Sequence, residues 1–274
     1  MMLWGLMDQN QLIERIVAEV VARMGSQPGG KPAGGVAVQP AASSAAAVPA
    51  LAPSDIAKYI DHTMLRPEAP TAAFDKLCQE AVQYHFFAVC VNSCRVAYVA
   101  RKLQGTGVKV CSVVGFPLGS MTSRAKAFET REAIEDGASE IDMVINIGLL
   151  KSGDYHGVEE DIRAVRRATR GNTVLKVIIE TALLTQDEKV MACELSKKAG
   201  ADFVKTCTGF LGGGASVEDL SLMRRVVGRE MGVKASGGVR TYKTALSFIG
   251  AGATRLGCVS SVAIVTGAEG AGSY

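Results

Sequence analysis

Val174-Leu175-Lys176-Val177-Ile178-Ile179 is the stretch on which the fold turns. Its apolar side chains do not alternate with polar ones. They occupy both faces, and β-branched residues dominate. A strand of this kind needs cover on each side, the situation of a parallel sheet wrapped by helices. The segment that follows, Gln186–Ala199, has a helical pattern, and Phe203–Thr206 returns to a short apolar strand.

Outward from there the same alternation repeats. Strands are expected at Tyr59–Thr63, Phe86–Val91, Val108–Gly115, Glu140–Asn146, Val174–Glu180, Phe203–Thr206, Gly232–Ala235 and Thr254–Gly257. Helices are expected at Ala72–Tyr84, Ser93–Leu103, Ser123–Asp136, Val158–Arg170, Gln186–Ala199, Val217–Val227 and Thr241–Ile249. Strands alternating with helices imply right-handed βαβ units. Eight of them predict an α/β protein, a (β/α)8 TIM barrel. A doubly wound open sheet is the competitor, but no Gly-x-Gly-x-x-Gly follows the first strand.

The barrel does not use the whole chain. Residues 8–24 read as an amphipathic helix with Leu12, Ile13, Ile16, Val17, Val20, Val21 and Met24 on one stripe. Asp8 or Asn10 would cap it and Gly25 would stop it. Residues 26–54 are nearly all Gly, Pro, Ala, Ser, Val and Gln, the composition of a flexible linker. The expected organisation is therefore an N-terminal helix (1–25), a linker (26–54), the barrel (55–265) and a short tail (266–274). A lone helix of this length is marginal in water, so its stripe is expected to find a partner, either outside the barrel or by folding back on it.

Composition removes several function classes. The net charge is +3, which calls for neither nucleic acid nor a membrane surface. No apolar run reaches the length of a membrane span. Met1 to Leu6 is apolar but lacks a basic flank and a cleavage site, and Met7 is an alternative start. The seven Cys are scattered without CxxC pairs, which points to a reducing, cytoplasmic compartment. Cys90 and Cys94 have only His85 nearby, so no metal site is expected.

Chemistry is expected where Phe203-Val204-Lys205 ends a strand. A lysine there either snorkels its tip to water or is an amine prepared to attack a carbonyl. Lys234 follows the same local pattern, Gly232-Val233-Lys234, on the next strand. Neighbouring parallel strands lie about 4.8 Å apart, so the two ammonium groups are expected to repel and leave one neutral near pH 7. Asp142, inside Ile141-Asp142-Met143, would pair with a lysine or pass a proton, helped by Asp61. The competing reading is a mutually satisfied Lys–Asp–Lys network with no catalytic role. His62 and Glu180 stand at the same strand ends and have structural explanations of their own.

Two loops suit an anion. Ser236-Gly237-Gly238-Val239-Arg240 follows the seventh strand, and Gly257-Cys258-Val259-Ser260-Ser261 follows the eighth. Barrels often hold phosphate there, on backbone N–H groups and helix N-termini. Thr206, Thr208 and Gly209, after Lys205, would add a third wall.

These segments resemble the deoxyribose-phosphate aldolase family. The resemblance rests on Glu140-Ile141-Asp142-Met143-Val144, on Phe203 to Gly209 and on Val233 to Arg240, with Ile60-Asp61-His62-Thr63 and Leu175 to Thr181 in support. It covers roughly Ile56 to Val265. It implies a class I aldolase without metal or cofactor. The substrates would be a small phosphorylated sugar and acetaldehyde, in the reversible cleavage of 2-deoxy-D-ribose 5-phosphate to D-glyceraldehyde 3-phosphate and acetaldehyde. Lys205 would form the imine, Lys234 would lower its pKa, and Asp142 and Asp61 would move protons. Thr206, Thr208, Gly209, Ser236, Gly237, Gly238 and Ser260 would line the phosphate end, and Tyr274 resembles a mobile C-terminal tyrosine of some members.

The resemblance also implies a homodimer. Two departures stand out. Cys207 replaces a usual serine, and the family's Gly-Thr-Ser-Ser-Gly is here Gly257-Cys258-Val259-Ser260-Ser261, so a serine is lost at 259 and a glycine at 261. Residues 8–24 resemble an encapsulation peptide of bacterial microcompartment cargo, which would place the enzyme in the cytoplasm within such a shell, with a shell protein as partner. The rival functions are a catalytically silent phosphate-binding barrel serving as scaffold or shell adaptor, and a lysine aldolase for a larger keto sugar phosphate.

Overall fold

The computed structural model describes residues 51–268 and, ahead of them, Ala18, which is helical and exposed. The rest of the expected N-terminal helix, the linker up to residue 50, and Tyr274 lie outside the described residues. Pro53 and Ser54, placed in the linker by composition, open a 3-10 helix, Pro53–Tyr59, that leads into the first strand.

Eight parallel strands close into a barrel in chain order. They are β1 (Ile60–Met64), β2 (Ala88–Val91), β3 (Lys109–Val114), β4 (Glu140–Val144), β5 (Val174–Ile178), β6 (Phe203–Lys205), β7 (Gly232–Ser236) and β8 (Arg255–Cys258). β8 pairs back to β1, with Asp61 opposite Gly257. The helices are α1 (Thr71–Gln83), α2 (Val96–Leu103), α3 (Ser123–Glu135), α4 (Ile147–Lys151), α5 (Tyr155–Ala168), α6 (Gln186–Lys198), α7 (Val217–Val227), α8 (Tyr242–Gly250) and α9 (Ser261–Thr266). Every strand and helix expected for the barrel is present, with ends shifted by at most three residues. The short helices α4 and α9 have too few turns to show a period in sequence. None of the described helices is long and apolar enough to cross a membrane.

Local chemistry sets the helix starts. Thr122, Thr185, Ser216 and Thr241 each accept an N–H of the first turn through the side chain. At Thr185 the bond is reciprocated by Glu188, a capping box. Lys126, fully buried on α3, donates to Val144 O at 2.8 Å and pairs with Asp161 of α5 at 2.5 Å, fastening two helices to the end of β4. Gly119 turns the chain after β3 with φ +67°, and a Cβ there would meet Ile145 O at 2.0 Å. Only glycine fits both demands.

Candidate active site

Polar side chains run through the barrel interior in layers. At the N-terminal end, Glu140 and Arg255 open β4 and β8, and the Arg255 guanidinium lies 3.7 Å from the Phe87 ring centroid. It donates to Glu140 Oε2 at 2.9 Å and to Asp61 Oδ1 at 2.8 Å. One layer up, Lys176 of β5 contacts Glu140 at 2.6 Å and Asp142 Oδ1 at 2.8 Å. Asp142 Oδ2 then accepts from two lysines, Lys205 at 2.9 Å and Lys234 at 2.8 Å. Lys234 also donates to Asp61 Oδ2. Cys111 closes the cluster with a thiol contact of 3.1 Å to Asp142 Oδ1.

Four cations therefore face three carboxylates, all nearly or fully buried. An isolated buried charge is costly, and pairing with further hydrogen bonds is what makes such a cluster tolerable. The partners are unevenly shared. Lys176, Lys234 and Arg255 each have two close carboxylates. Among the described residues Lys205 has one, and it shares that oxygen with Lys234. Deprotonating Lys205 would leave three cations balanced by three carboxylates.

The electrostatics follow this arrangement. Burial pushes Asp142 up, but Lys176, Lys205 and Lys234 together hold it well below the usual carboxylate range. Asp61, buried and opposed by Lys234, Arg255 and Lys176, is lowered to about 2. Burial pushes Lys234 down, and Asp142 and Asp61 outweigh it, holding its ammonium well above the ordinary value. Lys176 is raised by the same balance, with Asp142 the largest opposing charge.

Three expectations change. Lys205 and Lys234 are neighbours in register, but their ammonium groups do not confront each other bare; a shared carboxylate oxygen separates the charges. Mutual repulsion is therefore not what sets Lys234, and the Lys–Asp–Lys network is the geometry formed. Secondly, only Lys205 ends its strand. Asp142 and Lys234 are third in their strands and Asp61 second. Thirdly, Lys176, Glu140 and Arg255 belong to the cluster and were not singled out from sequence. Their signal was available: each is a charge within or at the start of an apolar strand.

The expected phosphate wall is assembled only in part. Thr206 donates to Ser236 O at 2.9 Å and accepts from Ser236 N at 2.9 Å, so its hydroxyl cross-links β6 to β7. Thr208 donates to Glu180 Oε2 at 2.6 Å. Both hydroxyl hydrogens are committed inside the wall rather than offered to an anion. The glycines fit better. Gly237 and Gly238 have φ +82° and +79°, and Ala215 N reaches Gly237 O at 3.0 Å, joining the loop after Gly209 to the one after β7. Ser236 is the register partner of Gly257, which brings the β7 and β8 loops side by side, and Ser260 precedes α9.

Two further features flank the cluster. The Ser261 hydroxyl donates to Cys258 O at 3.0 Å and touches His62 Nδ1 at 2.9 Å, while His62 Nε2 meets Glu80 of α1 at 2.9 Å. Glu180 has left-handed backbone angles, φ 57° and ψ 65°, and is fully buried. As for metals, Cys90, Cys111 and Asp142 offer ligand atoms within 4.8 Å of one another. Asp142 already serves three lysines, which makes the set a poor match for a divalent cation.

A parallel barrel with one under-partnered lysine at a strand end, anchored on a buried aspartate, defines a class I, lysine-dependent aldolase. The chain belongs to the DeoC/LacD family of aldolases, whose family model matches residues 55–267. It is 58% identical over 220 residues to a deoxyribose-phosphate aldolase of Streptococcus equi subsp. zooepidemicus, covering 80% of this chain and all of the relative. Identity to the Enterococcus faecalis enzyme of the same name is 57% over 218 residues, 80% of this chain and 99% of that one. Among solved structures, the tetrameric deoxyribose phosphate aldolase of Aeropyrum pernix superimposes with a TM-score of 0.74 at 33% identity, over 78% of this chain and 91% of that chain.

Proposed function

We propose that this protein cleaves 2-deoxy-D-ribose 5-phosphate reversibly to D-glyceraldehyde 3-phosphate and acetaldehyde, through an imine on Lys205. The observation that carries the reading is the position of Lys205: last residue of β6, almost fully buried, with a single carboxylate contact in a cluster that holds one excess cation. Its likeness to deoxyribose-phosphate aldolases supplies the substrate class.

The neutral amine attacks the aldehyde carbon and water leaves, giving a protonated imine. That iminium is an electron sink, and the bond between the second and third carbons breaks toward it. Asp142 holds Lys205 in place. Lys234 and Asp61, bonded behind it, keep that carboxylate ionised and aimed at the amine. The glycine turns at Gly209, Gly237 and Gly238, with Ser236 and Ser260, receive the phosphate. The reading is tested by a coupled assay for acetaldehyde released from deoxyribose 5-phosphate, with borohydride trapping of acetaldehyde on Lys205. A silent scaffold would bind the sugar phosphate, release nothing and leave Lys205 unmodified.

The remaining elements of the reading concern assembly. Residues 8–24 are taken as a tether to a microcompartment shell protein, inside the cytoplasm, where a shell would confine volatile acetaldehyde. Self-association as a homodimer is supported by exposed apolar side chains in succession after β3 and on α3: Leu118, Met121 and Phe128.

A further inference from the structure

Both aspartates of the lysine cluster are already bonded on each oxygen. Asp142 accepts from Lys176 and Cys111 on one oxygen and from Lys205 and Lys234 on the other. Asp61 is bound by Lys234 and Arg255. The cations facing them hold both well toward the ionised form, which makes them weak bases. Cleavage nonetheless requires a base for a second proton, the one on the hydroxyl of the carbon that departs as an aldehyde.

Glu180 has the features these residues lack. It lies at the C-terminal end of β5, where the ladder to β6 continues past the strand: Ile179 N donates to Lys205 O at 3.0 Å and Thr181 N to Thr206 O at 2.9 Å. Ile178 is the register partner of Lys205, and Glu180 follows it by two residues. The Lys205 charge is felt at its carboxylate. Its left-handed φ of 57° is a conformation a non-glycine residue keeps only where its surroundings over-determine it, and such residues gather at functional sites. Thr208 fixes one oxygen twice, from its N–H at 3.0 Å and its hydroxyl at 2.6 Å. The other oxygen, Oε1, is buried and has no hydrogen-bond partner among the described residues.

We propose that Glu180 Oε1 takes the proton from the C3 hydroxyl of the sugar phosphate as the C2–C3 bond breaks, a role that rests on the aldolase reading above. The O–H pair becomes the carbonyl of the departing aldehyde. The C2–C3 pair moves into the enamine, neutralising the iminium nitrogen on Lys205; in cleavage Glu180 then loses its proton to solvent before the next turnover, and in synthesis it returns the proton to the aldehyde oxygen. Burial, the main influence on Glu180, raises its pKa, which makes it a stronger base than the lysine-bound aspartates.

The test separates two protons. Exchange of the acetaldehyde methyl hydrogens in deuterated water needs the imine and enamine on Lys205 but no C3 hydroxyl. In Glu180→Gln, exchange and borohydride trapping are expected within about threefold of wild type, with cleavage of deoxyribose 5-phosphate down by roughly 10²–10⁴-fold. Cleavage within twofold of wild type, or exchange falling in step with cleavage, would overturn the proposal. Should the glutamine variant misfold, Glu180→Asp is measured in the same way. If the wild-type protein itself neither exchanges acetaldehyde nor cleaves the sugar, the aldolase reading fails rather than the assignment of Glu180.

Discussion

Lys205 and Lys234 stand opposite each other on β6 and β7 and donate to the same oxygen, Oδ2 of Asp142, at 2.9 and 2.8 Å. That shared oxygen is the pivot of the site. It holds two cations side by side in a buried space and leaves Lys205 with the smaller share of carboxylate.

Removing the pivot should cost both stability and activity. Asp142→Asn keeps the shape and deletes the charge, leaving several buried cations short of a partner. A loss of about 3–5 kcal/mol is expected by urea unfolding, together with a fall in kcat of at least roughly 10²-fold. Wild-type turnover in this variant would show that the network is a structural feature only.

Lys176 and Lys205 should separate. Lys205→Ala is expected to fold and to give no borohydride adduct with acetaldehyde, because the imine has no other amine at the strand end. Lys176→Met deprives Glu140 and Asp142 of a buried partner. It should be destabilised by about 3 kcal/mol or more while still trapping adduct on Lys205. Peptide mapping by mass spectrometry reads the difference.

Acid should loosen the barrel through Asp61. Its pKa is about 2 in the folded protein against 3.8 for the ordinary side chain, so the native state binds fewer protons than the unfolded chain between those values. The stabilisation is full above pH 4 and is lost as pH falls toward 2; it amounts to roughly 2 kcal/mol. Urea midpoints between pH 5 and pH 2 should fall less steeply in Asp61→Asn.

Ser261 stands where the resembled family has glycine, and it links the β8 loop to β1 through His62. Ser261→Gly frees that loop. KM for deoxyribose 5-phosphate is expected to rise about threefold to tenfold, as for loss of one or two hydrogen bonds, with kcat within about twofold. Unphosphorylated deoxyribose should show no change. An equal effect on both sugars would mean that the link supports the barrel generally.

Deleting residues 1–25 should leave turnover unchanged and abolish co-purification with shell protein. Activity lost on truncation would mean that the segment belongs to the barrel.

Much of the architecture was legible because it is local. The run Val174 to Ile179, apolar on both faces but for Lys176, announced a covered parallel strand, and Val217–Val227 forms a helix with the expected ends. Lys205, Lys234, Asp142 and Asp61 could be gathered from their places on four of the eight strands. Lys176 could not be ranked with them, since a lysine inside an apolar strand has the same appearance whether it snorkels or is buried. Thr206 and Thr208 looked like anion ligands because hydroxyls after a strand often are; their donors instead serve Ser236 and Glu180.

The alternation of strands and helices and the positions of the chemically capable side chains are written in local patterning, because hydrophobic periodicity and turn residues are properties of neighbouring positions. Which charges share a partner is set by the folded barrel. Barrel closure sets Asp61 of β1 beside Arg255 of β8, and Asp142 within reach of three lysines from β5, β6 and β7. Pairing of that kind depends on distances across the barrel, and those distances leave Lys205 with one carboxylate where Lys234 has two and, among the described residues, Glu180 Oε1 with no hydrogen-bond partner.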